Sequence, residues 1–250
     1  MPDGARLGYV DEGNGTPLVM MYGWTGTAHR HFDTMIEQLR SDYRVIAPDL
    51  RGYGASSPPF RDFQANFLQR DADDVAFLLE ALNCNQVTVF GFSDGGESAL
   101  LLASNQPKLV AGLVVWGTLG VESPVWETFL ESLLPVEEWE PDLAEWREAI
   151  IANHGVEQLV PMITGRLEAM QATLAAGGDI SLSRAHLIAC PTLLIYGEKE
   201  ERDNAKEVAQ LASHIPNCRL EIIADCDHFI QKEQPERFMT VVRSFLSQLS

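Results

Sequence analysis

The sequence predicts an α/β protein with a mostly parallel, doubly wound sheet and an inserted helical segment. Short apolar, β-rich runs alternate with helical patterns along the 250-residue chain. Several of these runs are continuously apolar, which is typical of parallel strands that are buried on both faces. The alternation stops between residue 122 and about residue 184, where no convincing strand pattern occurs.

The alternating part contains seven predicted strands and five predicted helices. The strands are predicted at residues 6–11, 18–22, 44–47, 87–90, 113–116, 192–196 and 219–223. The helices are predicted at residues 31–39, 67–82, 95–104, 204–214 and 235–249. Because β and α patterns follow each other repeatedly, we expect helices to cover both faces of one sheet.

The interrupting segment has the pattern of a helical cap. Two stretches follow helical spacing, and a third helix is predicted over residues 157–174. The apolar residues in the two stretches are Trp126, Phe129, Leu130, Leu133, Leu134, Leu143, Trp146 and Ile150. We predict a cap at residues 122–185 and a core at residues 1–121 and 186–250. Ordinary surface helices are the alternative, but the length and tryptophan content favour a lid over an apolar chamber lined by Trp126, Phe129, Trp139 and Trp146.

The charge balance excludes some classes of partner. The chain has 36 acidic and 18 basic residues and a net charge of −18, which argues against nucleic acid and anionic membranes. The excess could mildly favour cationic ligands, but a solvated acidic surface is the preferred explanation. No apolar run approaches the roughly 20 residues of a membrane span, and no signal-peptide pattern is present. We therefore expect a cytoplasmic monomer or small homo-oligomer that acts on a small molecule.

The cysteine pattern gives no indication of a metal site. Cys84, Cys190, Cys218 and Cys226 are scattered, and none lies in a C-x-x-C motif or near a histidine at metal-site spacing. Reduced structural thiols are the simplest interpretation. We expect neither a metal nor an organic cofactor.

Ser93 is the candidate nucleophile. Residues 91–96 read GFSDGG and lie between a predicted strand and a predicted helix. A G-x-S-x-G pattern in that setting places a serine on a strained turn, which exposes its hydroxyl above the sheet edge. Glycines are needed two residues on either side because a Cβ would clash there. A chance match is the alternative, which the strand–turn–helix setting disfavours.

A base and an acid are predicted later in the chain. In the strand–turn–helix type of serine site, the chain order is serine, acid, histidine. His228 follows the last predicted strand and is better placed than the other histidines. Glu200, after the strand at 192–196, is the first choice for the acid; Asp203 is the second and Glu122 a distant third. Only one can orient the histidine, so the others are expected to be solvated charges.

Backbone N–H groups are expected to stabilise the oxyanion. One belongs to Asp94, the residue after the nucleophile, and the other to the turn after the strand at 18–22, where we choose Trp24. The indole of Trp24 and the cap residue Trp126 are also predicted to contact the substrate.

Together these residues resemble the α/β-hydrolase superfamily over nearly the whole chain. Residues 49–56 (DLRGYGAS) are similar to the family's D-x-R-G-x-G-x-S turn, residues 193–199 (LLIYGEK) to its acid-bearing strand and residues 227–229 (DHF) to its histidine loop. The SDGG of residues 93–96 and the GEK of residues 197–199 look most like the valacyclovir hydrolase (biphenyl hydrolase-like) group.

That resemblance implies a substrate class. The group hydrolyses α-amino acid esters, and its aspartate after the nucleophile pairs with the substrate's α-ammonium group, which implies this role for Asp94. Alternatively, Asp94 is an acidic residue in the first turn of a helix, where its charge interacts favourably with the helix dipole and stabilises the helix. Two departures stand out: Tyr22-Gly23 replaces the family's His-Gly, and Glu200 replaces its usual aspartate. The first should alter packing more than chemistry, because the donors are backbone groups.

The sequence therefore predicts a serine esterase that cleaves small carboxylic esters, α-amino acid esters among them, through an acyl-enzyme. A carbon–carbon bond or enol-lactone hydrolase with the same triad is the first alternative. A non-catalytic, hydrolase-like binding protein is an alternative of another class. A haloalkane dehalogenase or epoxide hydrolase is disfavoured, since those proteins resemble this fold but carry aspartate where this chain has Ser93.

Overall fold

One mostly parallel sheet organises the molecule. The computed structural model describes residues 1, 3–139 and 141–249, without the side chains of residues 29, 142, 201 and 202. Its strands are β1 (Tyr9–Glu12), β2 (Thr16–Met21), β3 (Tyr43–Pro48), β4 (Val87–Phe92), β5 (Val110–Trp116), β6 (Thr192–Gly197) and β7 (Cys218–Ile223). The spatial order is β1-β3-β2-β4-β5-β6-β7. Only the β1–β3 pair in this sheet is antiparallel, so the predicted fold class is confirmed.

Helices flank the sheet and fill the long connection between β5 and β6. They are α1 (Ala28–His31), α2 (Asp33–Leu39), α3 (Phe67–Ala81), α4 (Asp94–Asn105), α5 (Pro124–Ser132), α6 (Ala144–His154), α7 (Leu159–Ala175), α8 (Glu198–Asp203), α9 (Ala205–His214), α10 (Ile230–Glu233) and α11 (Pro235–Leu246). Short 3₁₀ turns occur at Val136–Glu138, Pro141–Leu143, Val156–Gln158 and Leu182–Leu187. Among the described residues, no helix is both long enough and apolar enough to cross a bilayer.

The central strands are apolar throughout because each faces two cores. In β2, Val19 and Met21 belong to one buried cluster, whereas Leu18 and Met20 belong to the cluster on the opposite face. Alternate side chains of a strand point to opposite faces, so a strand covered on both sides needs apolar residues at every position. Full burial of each such side chain contributes about 1.5–3 kcal/mol.

Several predicted element boundaries differ from the structure, three of them as follows. The first strand begins at Tyr9, and Arg6 forms only an isolated bridge with Ser57. The predicted helix at 31–39 is two helices, because the chain bends at Phe32 (φ −114°, ψ 0°), whose side chain is completely buried. Residues 198–203, for which no helix is predicted, form α8.

The chain enters and leaves the β5–β6 connection at one place. We call residues 122–185 the cap; residue 140 within it lies outside the described residues. Val121 forms an antiparallel bridge with Asp179, and the Glu122 N–H donates to the Gly178 carbonyl at 2.8 Å. In its described part, the cap contains helices and 3₁₀ turns and no strand of the sheet.

The Glu97 carboxyl joins α4 to both ends of the cap. Its Oε1 accepts from the N–H groups of Leu119 (3.0 Å) and Gly120 (2.7 Å) and from the Thr118 hydroxyl, whereas Oε2 accepts from the Ser181 hydroxyl at 2.7 Å. Burial raises the pKa of Glu97 to about 7, although these donors oppose the rise. A titratable group therefore lies where the cap meets the core.

Replacing Glu97 by glutamine should flatten the pH dependence of stability. Because the folded-state pKa lies above the usual value of 4.5, the contribution is full below pH 4.5 and is lost as the pH rises through 7. Between pH 6 and pH 8, we expect the free energy of unfolding of the wild type to fall by about 1 kcal/mol more than that of Glu97→Gln. Urea unfolding at pH 6, 7 and 8 measures this difference.

The exposed Glu148 provides a matched control, since Glu148→Gln makes the same chemical change at the cap surface. That variant should follow the wild type. Parallel curves for the wild type and Glu97→Gln would contradict the raised pKa.

Candidate active site

Ser93 lies on a strained turn between β4 and α4. Its φ of 56° and ψ of −125° are uncommon for a residue with a side chain, and such strain costs about 1–3 kcal/mol. A Cβ at Gly91 would lie 2.6 Å from the Gly95 carbonyl oxygen and 2.7 Å from Ala99 Cβ, and one at Gly95 would overlap the Met21 carbonyl. The two glycines of the motif are therefore required by close backbone packing.

The turn after β2 lies directly against Ser93. A Cβ at Gly23 would be 2.7 Å from Ser93 Cβ and 3.2 Å from the backbone nitrogen of Asp94. Within the described residues, neither the Trp24 N–H nor the Asp94 N–H donates a hydrogen bond. The two predicted oxyanion donors thus lie close to the nucleophile and have no other acceptor in this part of the chain.

The cap holds this turn from the other side. The Trp146 indole donates to Thr25 Oγ1 at 3.1 Å, and the Trp24 indole donates to the Met162 carbonyl at 3.1 Å. His154 Nε2 lies 3.0 Å from the Thr25 carbonyl, so it carries the proton and donates. Thr25 has a φ of 59°, which is unusual for a β-branched residue. These cap contacts, which sequence reasoning missed, fix the strained backbone next to Trp24.

His228 is held by a carboxylate and by aromatic rings. Its Nδ1 lies 2.7 Å from Glu200 Oε1, and both side chains are buried. The carboxylate only accepts, so Nδ1–H donates and Nε2 is left to accept a proton. The ring packs 4.8 Å from Phe92 and 4.7 Å from Trp126, measured between centroids. Gly117 leaves room for it, because a Cβ there would lie 2.7 Å from His228 Cε1.

The structure separates the three candidate acids. Glu200, on α8, contacts His228, whereas Asp203 at the end of α8 is exposed and makes no hydrogen bond to His228 among the described residues. Glu122 pairs instead with Arg166 in the cap.

Ser93 and His228 line the same cavity. No hydrogen bond joins them in the described part of the chain, and such contacts often tighten only when substrate binds.

The cavity lies between the sheet edge and the cap. It encloses about 700 Å³, and its lining is mainly apolar. Trp24, Trp126, Phe129 and Trp146 all line it. Trp139, predicted to do the same, instead stacks behind Trp146 with ring centroids 4.9 Å apart. The cavity is therefore aromatic, with Trp139 as support for one of its walls.

A buried group of charges also lines the cavity, and we call Asp94, Glu122 and Arg166 the Arg166 cluster. Arg166 Nε donates to Asp94 Oδ2 at 3.0 Å, and its Nη2 donates to Asp94 Oδ1 at 2.9 Å. The adjacent edge of the guanidinium faces Glu122, with Nη1 2.9 Å from Oε1 and Nη2 3.3 Å from Oε2. The Nη1 contact has the distance of an ion pair but not the angle of a hydrogen bond.

Burial and the charges of neighbouring groups shift the pKa values in this cluster in opposite directions. Burial alone would lower the pKa of Arg166, but attraction to Asp94 and Glu122 outweighs it and raises the pKa. For Glu122, burial raises the pKa more than Arg166 lowers it. Sequence reasoning missed Arg166, although a signal existed: it occupies the apolar stripe of α7 between Ile163 and Met170, where a charged residue needs a buried partner.

The contrast between Glu200 and Asp203 can be tested with a fluorophosphonate, which reacts with an activated serine. We expect Glu200→Gln to slow the labelling of Ser93 by about 10²–10⁴-fold, because the histidine loses the carboxylate that orients it and stabilises its charged form. Asp203→Asn, the same change three residues along α8, should label at close to the wild-type rate. The reverse order of rates would contradict the geometry.

Comparisons with known proteins agree with this fold. The chain is 28% identical to serine hydrolase BPHL of Mus musculus over 247 residues, which cover 98% of this chain and 84% of the mouse protein. This confirms the resemblance to the biphenyl hydrolase-like group. The chain is also 31% identical, over an alignment of 268 positions, to the 2-hydroxymuconate semialdehyde hydrolase of Pseudomonas sp. (strain CF600). That alignment covers 98% of this chain and 92% of that enzyme.

A solved structure and a family model extend the agreement. A thermophilic esterase from Thermogutta terrifontis superposes with a TM-score of 0.70 at 27% identity, covering 97% of this chain and 93% of the esterase. The model of the alpha/beta hydrolase family matches residues 13–241. That span includes the strained serine turn, the acid on α8 and the histidine loop. The chain is therefore a hydrolase that belongs to the alpha/beta hydrolase family.

Proposed function

We propose that the protein is a serine hydrolase that cleaves small carboxylic esters through an acyl-enzyme on Ser93. The observation that carries this proposal is the 2.7 Å contact between His228 Nδ1 and Glu200 Oε1 beside the cavity that Ser93 lines. A histidine held in this way has its second nitrogen available for a serine proton. The names of the mouse relative, a serine hydrolase, and of the esterase structure fit the same chemistry.

In the first half of the reaction, His228 Nε2 takes the Ser93 proton while the serine oxygen attacks the ester carbonyl. The negative charge that develops on the carbonyl oxygen is stabilised by the N–H groups of Trp24 and Asp94. Each such donor contributes about 10²–10³-fold to the rate, because it is aimed at the oxyanion before the reaction begins. Glu200 stabilises the positive imidazolium that forms.

In the second half, the imidazolium of His228 protonates the departing alcohol, and the acyl group remains on Ser93. A water molecule then transfers a proton to the same histidine and attacks the acyl-enzyme. As the bond between the Ser93 oxygen and the acyl carbon breaks, the histidine returns that proton to the serine oxygen and the acid is released. All protons pass through one ring nitrogen, and the chemistry requires no metal or organic cofactor. The cavity of about 700 Å³ lies within the range of small-molecule sites, and its aromatic lining suits an apolar acyl or alcohol group.

A carbon–carbon bond hydrolase is the second candidate. It is supported by the 31% identity to 2-hydroxymuconate semialdehyde hydrolase, which exceeds the 28% identity to the mouse serine hydrolase. The name of that enzyme describes a carboxylate substrate. Arg166, a cation on the cavity wall, already binds two protein carboxylates, which disfavours a third carboxylate at that position. We therefore rank ester hydrolysis first.

Ser93→Ala should abolish the hydrolysis of p-nitrophenyl butyrate, because no other group supplies the attacking oxygen in this mechanism. Ser98→Ala is a matched control: Ser98 lies five residues further along α4, is fully buried and has no hydrogen-bond partner for its hydroxyl in the described chain. That variant should retain close to wild-type kcat/KM. The measurement is the initial rate of p-nitrophenolate release, with folding checked by circular dichroism.

The same proteins separate the competing functions. A wild type that neither hydrolyses any of a panel of esters, lactones and amides nor reacts with a fluorophosphonate would be a binding protein, contrary to the proposal. Wild-type turnover in Ser93→Ala would exclude the serine mechanism itself.

A further inference from the structure

The carboxylate of Asp94, the residue beside Ser93, is already paired with a cation of the protein. The Asp94 side chain is 9% exposed, and Arg166, at 7%, covers it. Both oxygens are engaged: Oδ1 accepts from Nε at 3.2 Å and from Nη2 at 2.9 Å, and Oδ2 accepts from Nε at 3.0 Å. A cationic ligand group at Asp94 would therefore have to displace a guanidinium or lie next to one.

Displacement of Arg166 is disfavoured by the second carboxylate. Glu122 contacts the adjacent edge of the guanidinium, formed by Nη1 and Nη2, with its own two oxygens, and its side chain is 5% exposed. The guanidinium is thus fixed between two carboxylates, and it also lies over the Phe67 ring, 5.5 Å from the centroid. Moving it would leave two buried carboxylates with one fewer partner, which is costly in a site of low polarity.

We propose that Arg166 is a specificity-determining residue, which occupies the Asp94 carboxylate and thereby selects esters with an uncharged acyl group over esters with an α-ammonium group. This inference rests on the proposed ester hydrolysis and deepens it. It reverses the substrate class that the SDGG resemblance implies, because that class depends on a free aspartate after the nucleophile. In this chain, a protein cation already holds the position that a substrate ammonium would take.

Direct pairing of a substrate ammonium group with Asp94 can be distinguished from attraction by the overall charge of the Arg166 cluster. The cluster contains two carboxyl groups and one guanidinium, a formal charge of −1, so a cation could also be attracted without direct contact. The double change Arg166→Met and Glu122→Gln leaves Asp94 as the single charge and preserves the net −1. Methionine retains much of the apolar stem of arginine, so the packing against Phe67 is kept in part. Any gain in ammonium recognition in this variant reports the freeing of Asp94.

The first experiment uses the wild type alone. The methyl esters of L-phenylalanine and N-acetyl-L-phenylalanine differ by one positive charge, and the aromatic cavity suits both. We expect a kcat/KM ratio of free amine to N-acetyl ester below about 1 at pH 6. The ratio should rise at least fivefold by pH 9, because the α-amino group loses its proton near pH 8. Because both esters meet the same enzyme, dividing by kcat/KM for the N-acetyl ester removes the effect of enzyme groups that titrate over this pH range.

The second experiment uses the double variant at pH 6. Its ratio should be at least tenfold above that of the wild type, since a free carboxylate next to Ser93 can now pair with the ammonium group. Adding Asp94→Asn to the double variant should remove the gain. Circular dichroism and fluorophosphonate labelling verify that each variant is folded and that Ser93 still reacts.

The outcomes are separable. A wild-type ratio that is above 10 at pH 6 and falls towards pH 9 would overturn the inference, as would a folded double variant with an unchanged ratio. If the double variant does not fold, the pH dependence of the wild-type ratio decides alone. A wild type that hydrolyses neither ester and does not react with the fluorophosphonate contradicts the proposed function instead.

Discussion

The site depends on a place where three backbone segments meet with no space for an additional carbon atom. The end of β2, the end of β4 and the start of α4 approach each other at Gly23, Gly91 and Gly95. This crowding forces Ser93 into its left-handed conformation and brings the Trp24 turn beside it. The strained backbone is anchored, since the Ser93 N–H donates to the Trp116 carbonyl on β5 at 3.0 Å. The geometry of the Ser93 turn is therefore a property of sheet packing.

Much of this arrangement could be predicted because it leaves a local trace in the sequence. Strands buried on both faces are apolar at every position, and the glycines around Ser93 occupy fixed offsets in one turn. Chain order then placed His228 after the last strand. Glu200 and Asp203 could not be separated in the same way, since both are carboxylates of one short segment. Only the formation of α8 decides which of them points at the histidine.

Other features have no such trace because they depend on contacts between distant segments. Arg166 meets Asp94 across 72 positions of the chain and Thr25 meets Trp146 across 121. Trp139 was predicted from its aromatic character, but its place behind Trp146 depends on how the cap folds. The charge on α7 was visible as an exception in an apolar stripe, yet its partners were not. Sequence patterns thus indicate that a side chain is constrained, and the fold determines by what.

Because the two ends of the cap lie side by side, the length of the cap can change independently of the sheet. Val121 and Asp179 are adjacent across a β-bridge, so the 57 residues between them begin and end at one point. A segment attached in this way can be lengthened or shortened without moving β5 or β6, because its two ends adjoin, provided that its contacts with Thr25 and Asp94 are kept. Arg166 and the cap aromatics Trp126, Phe129 and Trp146 thus line the cavity from a segment whose length can change, whereas Ser93, Glu200 and His228 lie on the turns and the short helix that follow the strands of the sheet.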